Sequence, residues 1–486
     1  MDIAVSSLNH GINTGSLGSP DAAKPAQDSQ ASVPGDSVSL GSQSPEADDV
    51  TDLAKRIVGQ YGKTEQVTVL KGSGGDDSIR ISQRQDGGLD VSVNGKVQSF
   101  SAEQSARLVI DGGEGNDDII ADGSVTAGLF ITGGKGDDTI VGGSGNDFII
   151  DSYGRNTIKG QAGNDSIISG GLDLPSASAQ DSAFSGGILL GGDGNDYIEG
   201  SRGSDFIDGG AGNNVIYGLD GNDTISAGYG RNYIDGGRGD DTIINAGAQG
   251  MLFGGQGDDA IISARRAAVI ADGYGSNTVH TPQGADKAYR SASTVWTGVS
   301  ASDSALSTPI VLPDNFAISG SEAFRARADS DLDNLRQLDL GQKMLEEIAK
   351  TGKGVTIKET ANNGNTCNSG KDGHLRDDKT PGPGTSSTIS YNRAGIKIDR
   401  SGVDWAERPP LVGLFHEMAH SYNAATGTMD YGVYRYDGTA APDRIGLVGA
   451  EFQAVGIEHP LIQSNPDGLN ENGMRRFLGI EERTRY

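Results

Sequence analysis

His416 and His420 stand four residues apart, with Glu417 directly after the first. On a helix this spacing turns both imidazoles to one side, one turn apart. Such a pair can hold a zinc ion through two ring nitrogens, and the glutamate between them can take a proton from water at the metal. A catalytic zinc also needs a third protein ligand and one position left open. The extended HExxHxxGxxH pattern is absent, because Asn423 and Thr426 stand where Gly and His would be required. Three residues remain for the third position. Glu451, in GAEFQAVGIEHP, falls on the next expected helix and is preferred. Asp430 closes the turn GTMD, and His459 precedes Pro460. Tyr431, Tyr434 and Tyr436 follow the motif closely. Any of them can donate to a developing oxyanion or simply pack in a hairpin.

The surrounding pattern predicts the helix that the pair needs. Pro409 and Pro410 suit a first turn, where the missing N–H costs nothing. Leu411, Leu414, Phe415, Met418 and Tyr422 form an apolar stripe at helical spacing, and Gly427 marks the end. The ligands are thus expected on the border between core and cleft. Upstream, residues 321–350 read as a helix with Phe324, Leu332, Leu335, Leu338 and Leu345 facing a core. Val355-Thr356-Ile357 reads as a strand, 362–387 as a polar loop and 389–398 as a second strand. Residues 316–486 should therefore form an α+β domain.

A second group of oxygen ligands lies upstream. From Gly72 to about Val279 a nine-residue unit recurs, with clear copies beginning at Gly112, Gly133, Gly142, Gly160, Gly191, Gly218, Gly236 and Gly254. GGKGDDTIV and GGRGDDTII are two of them. The glycines permit a tight turn with exposed carbonyls, and the sixth-position Asp offers a hard oxygen to calcium. The last three residues form a short strand whose apolar member fills a thin core. These units resemble the RTX repeats, which build a parallel β-roll around calcium. That resemblance places calcium at Asp117, Asp138, Asp147, Asp165, Asp196, Asp205, Asp223, Asp241 and Asp259. Without calcium the stacked carboxylates repel, so the roll should be loose.

Successive turns of a roll alternate between two edges. Asp205, Asp223, Asp241 and Asp259 then share one edge, followed by Asn277, while Asp196, Asn214, Asn232 and Gly250 share the other. In the earlier array Asp147 and Asp165 share an edge opposite Asp138 and Asn156. Asn lacks the charge, so one edge is expected to be the principal calcium ladder.

A length of 486 residues predicts two or more domains. The 76 glycines are concentrated in the repeats, as is much of the acid behind the net charge of −27. That charge argues against a nucleic-acid partner and for bound cations. The single Cys367 excludes an internal disulfide and reads as an inert thiol. No stretch has the ~18–20 apolar residues of a membrane helix. Residues 1–60 are Ser-, Ala- and Gly-rich at their start and are expected to be disordered, as a plain tail or a secretion leader. Residues 61–280 are assigned to the roll and 281–315 to a linker.

The runs RPPLVGLFHEMAHSYNAATGT, EFQAVGI and NENGMRRFLGIEERTRY, over about 315–486, resemble the M91 (NleD-like) family of zinc metallopeptidases. The resemblance implies a zincin-like domain with zinc on His416 and His420, catalysis by Glu417, and Glu451 as third ligand. It also implies a secreted effector, delivered by bacteria into host cells, that cuts host signalling proteins. The long calcium roll in front departs from simpler members. The competing reading is a calcium-stabilised adhesion or binding protein whose zinc domain cuts nothing. Oligomeric state is not legible.

Overall fold

One apolar residue per repeat unit builds the first domain. Ile140, Ile158, Leu189, Ile207, Ile225, Ile243 and Ile261 stack in register as neighbouring strands of one parallel sheet. Ile149, Ile167, Ile198, Ile216, Ile234 and Leu252 do the same in the facing sheet. All are fully buried in one continuous core. Burying one such side chain stabilises by about 1.5–3 kcal/mol, so the columns offset the cost of ordering so many glycines. Among the described residues the two sheets contain 12 and 13 strands, and all pairings are parallel except the hairpins at 78–100. The computed structural model describes residues 68–482, except 152, 170–185, 248, 266, 292, 299–302, 307–314, 321, 361–364, 377, 392–409, 432, 435–446, 456–464, 466–468 and 479–481. All of them belong to the unit Val38–Tyr486. The N-terminal segment 1–60, Tyr436 and His459 lie outside the described residues, as does the side chain of Tyr434.

Strands Ala285–Arg290, Val295–Gly298 and Asp303–Leu306 continue both sheets into the segment read from sequence as a linker. The Gly-Asp signature is lost there, but Ala285 and Ala288 remain as small inward residues. The periodicity survives where the motif does not.

The C-terminal sheet runs Phe316–Ser319, Val355–Glu359, Ser387–Tyr391, Thr366–Ser369. Its first three strands are parallel; Thr366–Ser369 is antiparallel and forms the edge, inside the stretch expected to be loop. The single helix expected over 321–350 is two, Glu322–Gln337 and Asp339–Lys350. Leu338 between them is extended (ψ 132°) and fully buried. Gly341 lets the second helix approach the Leu335 carbonyl, where a Cβ would clash.

The helix Pro410–Thr426 carries the histidines and ends at Gly427, whose φ of +73° suits glycine. It is enclosed on nearly every side rather than amphipathic. Strands Ser387–Tyr391 and Thr366–Ser369 pack on it, as do the helices Asp339–Lys350, Gly449–Val455 and Glu471–Leu478.

Candidate metal centres

The helix places His416 and His420 with their rings 4.9 Å apart, edge to face. Both are buried. The next described helix brings Glu451 across from them. Its Oε2 lies 3.4 Å from His416 Nε2 and its Oε1 lies 3.4 Å from His420 Nε2. Among the described residues this is the one group of three such side chains whose ligand atoms gather, all within 4.8 Å of one another. Burial alone would raise the Glu451 carboxyl. The two imidazoles that face it at 3.4 Å outweigh burial and hold the group well below the usual carboxylate range. Two imidazole nitrogens and one carboxylate are a donor set that suits a divalent transition metal.

Asp430 stands elsewhere. Its carboxylate pairs with Lys379 Nζ at 3.2 Å. Its backbone braces the Glu451 helix instead: its carbonyl accepts from Ala450 N (2.6 Å), and its N–H donates to Gln453 Oε1 (3.2 Å). Glu417 is buried on the same helix as the histidines. Cys367, on the edge strand, has its Sγ 3.4 Å from Ser421 Oγ. Burial pushes its thiol up to about 12, with the Glu417 charge adding, so it is no nucleophile at neutral pH. Tyr431 is half exposed and stacks 4.2 Å from the His374 ring.

Glu471 was not singled out in the sequence. It is fully buried, with Oε2 3.0 Å from His416 Nδ1 and Oε1 accepting from Arg475 Nε at 2.8 Å. No spacing rule links it to the motif.

In the roll every sixth-position Asp named above is buried. Each backbone N–H donates to the side chain of the next residue on its edge. Asp205→Asp223→Asp241→Asp259→Asn277 is one such chain, at 2.7–3.0 Å. Asp147→Asp165→Asp196→Asn214→Asn232 is the other, at 2.8–3.0 Å. The edge of Asp77, Asp117, Asp138 and Asn156 continues into the first of these, since Thr157, Ile188 and Phe206 pair in sequence. Asn rungs therefore occur on both edges. A run of Asp stands on each edge, and the longer series is on the Asp205 edge, which also carries Asp77, Asp117 and Asp138.

The Oδ2 atoms of Asp117, Asp138, Asp165, Asp196, Asp223, Asp241 and Asp259 are buried without a hydrogen-bond partner. They point into a cradle beside the first-position glycine, shared with the carbonyl of the next same-edge unit: Gly254 faces Asp259 Oδ2 and the Asp272 carbonyl, both at 2.5 Å from where a Cβ would stand. Its nearest polar atoms are oxygens, which fits calcium. At the Asn rungs the amide fills the place itself. Asn214 Nδ2 donates to the Gly209 carbonyl at 3.0 Å, and Asn277 Nδ2 to the Asp272 carbonyl at 2.6 Å.

Against known families, the region 313–486 matches the Peptidase M91 model, described as an effector protein. Residues 313–486 carry an M91 peptidase effector domain. Four RTX calcium-binding nonapeptide repeats precede it, at 130–149, 141–172, 190–225 and 217–247. No curated protein and no solved structure matches the chain. The chain thus joins an M91 domain, whose substrate class is protein, to a calcium-binding module, a combination typical of secreted proteins. Among the described residues, no helix is long and apolar enough to cross a membrane.

Proposed function

We propose that the chain is a zinc-dependent endopeptidase effector with a zincin-like catalytic domain, acting on host-cell proteins. The observation that carries this is the convergence of Glu451 on His416 and His420, whose helix also carries the buried Glu417. His416 Nε2, His420 Nε2 and a Glu451 oxygen would hold zinc. When bound there, zinc supplies Lewis acidity at the scissile carbonyl and activates water. Glu417 accepts the proton of the attacking water and returns it to the leaving amine.

The edge strand Thr366–Ser369 packs on the metal helix and leaves one main-chain edge unpaired among the described residues. An extended substrate segment can add there through backbone hydrogen bonds, which align a peptide without demanding a particular sequence. Tyr431, half exposed beside the His374 ring, is the described tyrosine that would be tested as a donor to the oxyanion.

The test is metal content and cleavage of a broad peptide library by the full chain with calcium present. Glu417→Gln should keep one zinc per chain and lose turnover. Cleavage retained in that variant rejects the mechanism. Zinc without cleavage in the unmodified chain favours the binding-protein reading.

A further inference from the structure

One rung of the roll is built unlike the others. At the Asp rungs the cradle beside the first-position glycine faces one carboxylate oxygen and one backbone carbonyl, as at Gly191, Gly218, Gly236 and Gly254. At Gly133 the place of a Cβ is crowded instead by Asp138 Oδ2 and Asp151 Oδ2. Two carboxylates converge where elsewhere there is one.

Asp151 opens the unit DSYGRNTIK, at the position where the consensus has glycine. It is fully buried, and neither of its oxygens has a hydrogen-bond partner. Asp138 Oδ2 is equally unpartnered. The sixth position of the Asp151 unit is Asn156, whose Nδ2 donates to the Tyr153 carbonyl at 3.1 Å. The charge missing at Asn156 thus reappears five residues earlier, aimed at the preceding rung.

Asp272 is an internal comparison. It holds the same position in DGYGSNTVH, ahead of Asn277. There the protein satisfies the carboxylate: Ser291 N–H donates to Oδ1 at 2.8 Å and Thr294 Oγ1 to Oδ2 at 2.7 Å. The position alone therefore does not call for a cation. At Asp151 the Gly134 and Tyr153 backbone groups lie near, but neither completes a hydrogen bond, and the carboxylate is left for a cation.

Two carboxylates in a dry site repel unless a cation or a shared proton lies between them. A divalent cation matches both charges, and calcium affinity in oxygen sites rises with ligand charge. We propose that Asp138 and Asp151 form the tightest calcium site of the roll, with Asp151 a ligand from outside the sixth-position series. This rests on the reading of the repeats as calcium sites. It makes this rung the first to fill at limiting calcium, a starting point for ordering both sheets.

The experiment is calorimetric titration of calcium into the calcium-free, full-length chain. Unmodified protein, Asp151→Gly, Asp151→Asn and Asp272→Asn are compared. Asp151→Gly installs the consensus residue, and circular dichroism at saturating calcium checks that both Asp151 variants fold. The tightest step should weaken about tenfold or more in both, with the weaker steps kept, because one ligand charge is lost. Asp272→Asn should leave the tightest step in place. An unchanged tightest step in Asp151→Gly and Asp151→Asn overturns the proposal and assigns the pair a shared proton. If the unmodified chain takes up no calcium at all, the reading of the repeats fails with it.

Discussion

The Arg327 guanidinium lies 3.3 Å from the centroid of the Tyr217 ring, joining the first helix of the peptidase domain to the outer face of the roll. Tyr217 belongs to a ladder of rings, Tyr197, Tyr217, Tyr233 and Phe253, with neighbouring centroids 5.3–6.1 Å apart. Under the cation–π contact Arg327 pairs with Asp331, which also accepts from Tyr391 Oη (2.8 Å) and Tyr217 Oη (3.3 Å). Ser330 and Asn334 donate to Asp235 of the roll at 2.7 and 2.8 Å. The same helix packs against the metal helix, so the roll's surface and the candidate zinc site share one support.

Arg327 and Asp331 are both fully buried. Arg327→Met removes the cation and leaves Asp331 as an uncompensated buried charge. Breaking such a pair costs about 3–5 kcal/mol. Urea unfolding of the calcium-loaded full chain should show that loss, and Arg327→Met/Asp331→Leu should recover part of it. A loss under about 1 kcal/mol would put the pair in the class of exposed ion pairs and dismiss its structural role.

Calcium removal should reach the peptidase domain through the same contact. Without cations the carboxylate ladders repel, the sheets loosen, and the tyrosine face that buries Arg327, Asp331 and Asn334 is lost. Those polar groups then face solvent or remain unpaired. In hydrogen exchange, amides of Glu322–Gln337 and Pro410–Thr426 should exchange faster after chelation, in zinc-loaded protein. If only the roll responds, the two domains are energetically independent.

Much of this was legible because it is local. The His416–His420 spacing and the nine-residue period each fix a geometry within one helix or one turn. Glu451 was reachable because it opens a short helix soon after the motif. Glu471 was not, since only tertiary packing brings it to His416. Arg327, Asp331 and Asn334 are polar positions of a helix, yet they are covered because the roll presents Tyr217, Tyr233 and Asp235 to them, a match between two surfaces that no single segment records. Likewise, the strands beyond Thr281 keep the spacing of inward residues while losing the glycines that made the repeats visible.

Protonation offers a second route to neutralising the ladders. Burial pushes Asp165 and Asp241 up to about 9, Asp223 to about 8, and Asp117, Asp196 and Asp259 to about 7 in the calcium-free chain. In the unfolded chain they titrate near ~3.9. The folded state therefore binds more protons than the unfolded one between about pH 4 and pH 9, and stability falls as pH rises through that window. Calcium-free protein should show more strand signal in far-ultraviolet circular dichroism at pH 5 than at pH 8. Calcium uptake should release protons into an unbuffered solution. Equal signal at both pH values would show that the carboxylates are solvated rather than buried.

Glu471 bears on the metal itself. Its Oε2 lies 3.0 Å from His416 Nδ1, close enough to favour the tautomer that leaves the Nε2 lone pair free for a metal. Arg475 at 2.8 Å keeps the carboxylate in place. Removing such a partner typically costs 10–100-fold in metal affinity, because the ring loses both orientation and basicity. Competition with a zinc-selective chelator should therefore show Glu471→Ala binding zinc about 10–100-fold more weakly. Glu471→Gln keeps an acceptor and should fall between that variant and the unmodified chain. The intermediate value separates orientation from a general packing defect, which Gln, nearly isosteric, would not reproduce. Affinity unchanged in Glu471→Ala would mean that His416 is oriented by the helix alone.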